Sequence, residues 1–243
     1  MTDNSLKASA RKIIISCEHG GNHVPSEYHH LFKGKQAVLN SNRGRDAGAL
    51  MIARELAKKL NTPLTVSEIT RLLVDLNRSS HHRALFSEFT RNCDKDTRHK
   101  ILREYYFPYR MHVENEITKA LKVKKSVVHF SIHSFTPRLG SETRNADIGL
   151  LYDPARKGER DLCMKLQSIL HRQSKKLVIR RNYPYRGNAD GFTTYLRKKF
   201  AATKYIGVEI EINQKHVNHT DHWKSLRKHI INSVIRLKHL SGY

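Results

Sequence analysis

The chain has 243 residues, 38% hydrophobic and 28% charged, with 45 Lys plus Arg against 22 Asp plus Glu and a formal net charge of +23. These proportions fit a folded chain able to bury a substantial core and exclude a disordered one. No apolar run approaches the roughly 18 residues of a membrane span, so no membrane association is expected.

The polar stretch Met1–Lys12 lacks the apolar middle of a secretory signal. Cys17, Cys93 and Cys163 are scattered and odd in number, a pattern of reduced thiols in a cytoplasmic protein rather than of a disulfide framework. The positive charge permits nucleic-acid binding and attracts small anions. Basic residues run from end to end without a block or an aromatic–basic motif, so nucleic acid is a possible but not a favoured partner.

In chain order, residues 12–17 (K-I-I-I-S-C) read as a short β-branched strand. Residues 47–60 have helical periodicity, with Asp46 placed as an N-cap. Residues 64–66 and 72–76 look like two further strands. A long charged helix over 94–122 is expected to break near Pro108, because proline lacks the backbone donor. Then follow a strand at 126–132, a strand at 148–152, a helix at 158–172, a strand at 176–179 and a turn-rich stretch at 181–191. A strand at 205–212 and a helix at 221–239 close the series; Trp223, Leu226, Ile230, Val234 and Leu237 recur there at three- and four-residue steps. Such alternation predicts one α/β domain, residues 1–243, with a mainly parallel sheet covered on both faces.

Ligands of open α/β sheets gather beyond the carboxyl ends of the strands. The first strand runs into C-E-H-G-G-N-H-V-P (17–25), which carries Glu18, His19 and His23. The segment R-L-L-V-D-L-N-R (71–78) places Asp75, Asn77 and Arg78 after a core run; Arg78 either pairs with Asp75 or presents its planar fork to a substrate carboxylate. S-I-H-S-F-T-P (131–137) carries His133 to a strand end, where a satisfied structural histidine is the alternative to a ligand. In E-I-E-I-N-Q (209–214), Glu209 and Glu211 share one strand face, either solvated or functional. Two imidazoles with several carboxylates suit a catalytic zinc site, in which three protein ligands leave a position for water and a carboxylate takes its proton.

Together with R-D-A-G-A (45–49), D-I-G-L-L-Y (147–152) and N-Y-P-Y-R-G (182–187), these segments resemble the N-formylglutamate amidohydrolase family, related to the zinc carboxypeptidases and aspartoacylases, over residues 12–215. The resemblance implies a three-layer, phosphorylase/hydrolase-like sandwich of zinc-exopeptidase type with a mixed, mainly parallel sheet. It implies one divalent ion, zinc, held by His19, Asp46 and His133, and Glu211 as the catalytic carboxylate. Asn77 and Arg78 would receive a substrate carboxylate, with Arg71 as a second cation. Carboxypeptidases have a glutamate three residues after the first histidine, where this chain has Asn22. Asp46 is the family-type replacement, with Glu18 as the fallback and helix capping as the other role for Asp46. The implied activity is hydrolysis of an N-formyl or N-acyl amino acid, a small carboxylate-bearing amide. The alternatives are a carboxypeptidase-like peptidase on peptides or cell-wall fragments, and a basic nucleic-acid-binding or degenerate non-catalytic protein.

Overall fold

Three runs rich in β-branched residues form the middle of the sheet. In the computed structural model, which describes residues 11–239, they are β1 (Arg11–Cys17), β3 (Ser126–Phe135) and β8 (Tyr205–Asn213). The remaining strands are β2 (Leu64–Val66), β4 (Arg138–Leu139), β5 (Glu142–Thr143), β6 (Ile148–Leu151) and β7 (Ile179–Arg181). Six of the eight form one sheet in the order β2-β1-β3-β8-β6-β7, all neighbours parallel except β6 and β8. The ribbon β4–β5 stands apart. All but the last two residues of the polar N-terminal stretch lie outside the described residues.

Because side chains alternate faces along a strand, register decides what meets. Ile15, Val128, Phe130, Ile132, Val208, Ile210 and Ile212 line one face. They pack on α2 (Ala49–Leu60), α5 (Lys157–Gln173) and α7 (Thr220–His239). The other face carries Ile14 and Val127 under α4 (Phe107–Val123) and α6 (Phe192–Lys199), which contribute Val113, Ile117, Phe192 and Leu196. Each such buried side chain stabilises by about 1.5–3 kcal/mol, so both layers are held firmly. This second face also holds a polar row: Ser16 is in register with Ser131 and Ser131 with Glu209, and one step on His133 is in register with Glu211. The result is the expected three-layer α/β sandwich with a mixed, mainly parallel sheet. Among the described residues no helix is long and apolar enough to cross a membrane.

The structure corrects several expected elements. Residues 72–76 are turns rather than a strand, with Leu73 N–H donating to Thr70 and Asp75 N–H to Leu85. Leu72, Leu73, Val74 and Leu76 are all buried in the second core, because an apolar run that coils through a core looks the same in sequence as a buried strand. The long helix is capped by Asp94, whose side chain accepts from Thr97 N–H. It runs as α3 (Lys95–Ile101), a π-turn at Leu102–Tyr106 and α4, with Pro108 in the first turn of α4. A proline needs no donor there, so the bulge absorbs what would have been a break. A short helix, α1 (Gln36–Asn40), precedes α2. β3 continues to Phe135, which places His133 inside the strand, and β7 begins at Ile179 rather than at 176.

Candidate active site

His19 leaves the end of β1 on a loop pinned at both sides. Gly20 N–H donates to Ser67 C=O, and a Cβ on Gly21 would lie 2.3 Å from the Glu68 carbonyl oxygen, so only glycine permits that approach. Asp46 is strapped to the same loop, its backbone N–H donating to His19 C=O at 2.9 Å. It does not cap α2: the cap residue is Gly48, left-handed at φ +82°, where no side-chain bond is made. The Asp46 side chain turns instead toward His133, His19 and Arg71.

His19, Asp46 and His133 are all buried and each offers one ligand atom, the three lying within 4.8 Å of one another. His133 Nδ1 is 2.8 Å from Asp46 Oδ2, and His19 Nδ1 is 3.5 Å from the same oxygen. His19 Nδ1 is fully buried and has no hydrogen-bond partner. The opposite ring nitrogens are spoken for: His19 Nε2 lies 2.7 Å from Asp75 Oδ1, and His133 Nε2 lies 3.0 Å from Glu18 Oε2. Glu18 also accepts from Ser131 (2.6 Å) and Tyr109 (3.1 Å), which fixes it behind His133 and away from the Nδ1 side. Both imidazoles thus have a carboxylate holding one nitrogen and turning the other toward Asp46, the arrangement that orients metal-binding histidines.

The electrostatics point the same way. Burial alone would raise the Glu18 and Asp46 carboxyls, yet bonds and charge from His133, joined at Asp46 by His19, hold both well below the usual carboxylate range. Burial and Arg71 act against a charged His19, but Asp75 and Asp46 outweigh them and raise it. His133 is likewise raised despite burial, by Asp46 and Glu18. Three carboxylates (Glu18, Asp46, Asp75) face a single guanidinium, Arg71, which donates to Asp75 (2.7 Å) and Asp46 (3.3 Å). A cage this short of positive charge draws protons onto its histidines, and a divalent cation can take their place.

Glu211 sits beside this cage on β8, in register with His133 on one side and Gly149 on the other. It is buried, and its Oε2 has no hydrogen-bond partner. Burial pushes its carboxyl up to about 8, with Asp46 and Glu209 adding to the rise against His133 and Arg71. A Cβ on Gly149 would lie 2.0 Å from the Tyr183 carbonyl oxygen and 3.2 Å from Glu211 Cβ, so the missing side chain gives the carboxylate its place. Glu209 differs, because Thr193 donates a hydrogen bond to it.

Arg71, rather than Arg78, is the partner of Asp75. Asn77 Oδ1 accepts from Phe192 N–H, and Arg78 Nη1 donates to the Asp190 carbonyl, so both tie the 71–78 segment to the head of α6. Open clefts of about 500 and 530 Å³ flank the cluster, one lined by Asp46 and the other by Arg71 and Asp75. The placement of Asp75 behind His19 was not apparent from the sequence, which showed only its nearness to Arg78.

A model of the family N-formylglutamate amidohydrolase matches residues 11–217. No curated protein matches the chain. Among solved structures, the gene product Atu2144 from Agrobacterium tumefaciens superposes with a TM-score of 0.80 at 24% identity, over 94% of this chain and 91% of the other. The N-formylglutamate amidohydrolase from Ralstonia eutropha JMP134 superposes with a TM-score of 0.68 at 16% identity, over 96% and 94%. These likenesses extend over the sheet and both helical layers that position the cluster. The chain belongs to the N-formylglutamate amidohydrolase family.

Proposed function

We propose that the chain is a metal-dependent hydrolase of linear amides whose substrate is an N-formyl or N-acyl amino acid. One observation carries this reading: a buried carboxylate with an unpartnered oxygen, Glu211, stands beside a cage of two imidazoles and Asp46 in which a single guanidinium faces three carboxylates. His19, Asp46 and His133 would hold the ion, and nitrogen and oxygen donors of this kind suit zinc. When bound, the ion supplies Lewis acidity and lowers the pKa of water.

The chain's own groups do the rest. Glu211 Oε2 accepts the proton of the attacking water and returns it to the leaving amine nitrogen. Asp75 and Glu18 keep the two imidazoles in the tautomer with Nε2–H, so that each presents a bare Nδ1. Arg71 balances Asp46 and Asp75 and holds their carboxylates in place. Asn77 and Arg78, tied to the head of α6, are the candidates for a substrate carboxylate.

The test is elemental analysis of the purified protein followed by hydrolysis of N-formyl and N-acetyl amino acids by wild type and Glu211→Gln at matched metal content. The expected result is one divalent ion per chain and a fall of about 10²–10⁴-fold in rate for the variant. Near-normal turnover by Glu211→Gln would remove the proposed base. His19→Ala and His133→Ala should each abolish stoichiometric metal, and a well-folded variant that keeps it would strike that histidine from the ligand set.

A further inference from the structure

Arg110, in the first turn of α4, is buried, and among the described residues no carboxylate pairs with it. Its guanidinium lies 4.4, 4.5 and 4.9 Å from the ring centres of Phe192, Tyr195 and Tyr106. Its Nη1 donates to the carbonyls of Leu76 (3.0 Å) and Arg78 (3.1 Å), and the Tyr106 hydroxyl adds a bond to Arg78 C=O at 2.8 Å. A buried charge is costly unless it is paired or fully hydrogen-bonded, so what this cation holds matters.

The Leu76 carbonyl belongs to the planar peptide group whose other end is the Asn77 N–H. That N–H donates to Asp75 Oδ1 at 3.0 Å, and the same oxygen lies 2.7 Å from His19 Nε2. A bonded chain therefore runs from the Arg110 guanidinium across one peptide plane to Asp75, and on to His19. Hydrogen bonds in such a chain polarise one another: a cation on the carbonyl makes the amide a stronger donor, which grips the carboxylate more firmly. Arg78 N–H donates to Asp75 C=O at 3.1 Å and closes the turn, so Arg110 and Tyr106 hold the turn at both carbonyls.

We infer that Arg110 is a positioning residue of the cage: it fixes the Leu76–Asn77 peptide group and, through it, the Asp75 carboxylate that orients His19. The inference rests on the proposed metal site for the purpose of that orientation, which turns His19 Nδ1 toward the ion. From the same turn of α4, Tyr109 donates to Glu18, the carboxylate behind His133, so one helix start serves both imidazoles.

Zinc affinity by chelator competition, with thermal melts, tests this on wild type, Arg110→Met, Arg110→Lys, Tyr195→Leu, Asp75→Ala and the Arg110→Met/Asp75→Ala double variant. Arg110→Met keeps an unbranched chain under the rings and loses the bonds. It should bind zinc about 3–10-fold more weakly, less than the roughly 10–100-fold expected for Asp75→Ala, which removes the direct partner of His19. Arg110→Lys keeps a charged donor and should fall between wild type and Arg110→Met, so it carries the comparison even where the Met variant folds poorly. Tyr195→Leu removes a ring but no bond to the turn, and should lower the melting temperature while leaving zinc affinity at the wild-type value. In the Asp75→Ala background Arg110→Met should weaken zinc no further, because its effect travels through Asp75. Amide exchange at Asn77 in the metal-free protein reads the same contact without zinc; it should quicken in Arg110→Met and not in Tyr195→Leu. Unchanged Asn77 exchange in a folded Arg110→Met overturns the inference. So does unchanged zinc affinity in that variant, an equal loss in Tyr195→Leu, or additive losses in the double variant. A wild type that binds no zinc, with Asn77 exchange still governed by Arg110, overturns the proposed function and leaves the positioning of Asp75 standing.

Discussion

Burial without a hydrogen-bond partner raises the Glu211 carboxyl to about 8 in the metal-free chain, far above its value in an unfolded one. Between those two values the folded chain holds a proton that the unfolded chain has lost, so this group's contribution to stability declines as pH rises through the window. Glu211→Gln removes the titration. Urea melts of the metal-depleted proteins should show the variant gaining on wild type from pH 5 to pH 8.5, on the order of 1–3 kcal/mol. Parallel pH profiles would mean that Glu211 is not held in the environment described. At this scale part of the candidate site was legible: His19, His133 and Glu211 follow or interrupt strand-like runs, whereas Asp46 read as a helix cap and joined the ligand set only through the family resemblance; the fold brings the four together. The partners of these residues were hidden, because Asp75 meets His19 across 56 positions and Glu18 meets His133 across more than a hundred. Nothing local in the chain specifies such pairings.

The elements were legible where their period was unambiguous. β3 and β8 alternate polar and apolar residues, β1 is a short β-branched run, and α2, α5 and α7 repeat at helical spacing, so all six were apparent in outline. The segment 71–78 was not, since Leu72, Leu73, Val74 and Leu76 follow no clear period, and only the second core decides that they coil. The polar alternation in β3 also has a use that sequence alone did not suggest. His129 is buried between Ser16 Oγ (2.7 Å from Nε2) and the Tyr205 hydroxyl (2.8 Å from Nδ1), which ties β1, β3 and β8 together below the cage. Burial pushes its imidazole down to about 4, with Arg197 and His133 acting in the same direction against Glu18. Here the unfolded chain takes up a proton that the folded one refuses, so stability is lost as pH falls from the unfolded value of about 6.5 toward 4. His129→Leu should lose that acid sensitivity while leaving Ser16 and Tyr205 unpaired, at about 1–3 kcal/mol for each stranded group. Denaturant melts at pH 5 and 7.5 measure both effects. A variant as stable as wild type at pH 7.5 would show that the three-strand tie contributes nothing.

For the whole molecule, folding sorts the charges by sign. Among the described residues eight acidic side chains are buried (Glu18, Asp46, Asp75, Glu114, Asp147, Glu159, Glu209 and Glu211) against three basic ones (Arg110, Arg144 and Arg197). With 22 acidic and 45 basic residues in the chain, the surface is therefore more cationic than the net charge of +23 suggests. The cleft beside Arg71 and Asp75 continues this pattern outward, with Arg43, Arg83 and Arg91 on its walls. Basic walls leading to a buried site concentrate anions at the entrance and speed their capture, an effect that salt weakens once the Debye length shrinks to about 8–10 Å. For an N-acyl amino acid, kcat/KM should fall several-fold from low salt to 0.3 M NaCl while kcat stays level. The same amide with its carboxylates esterified should show little change. Arg83→Glu with Arg91→Glu should flatten the salt dependence for the acid without altering kcat, because neither residue reaches the cage. Should the acid and the ester respond to salt alike, the charge serves another partner, and binding of mixed-sequence nucleic acid with a steep salt slope would identify it.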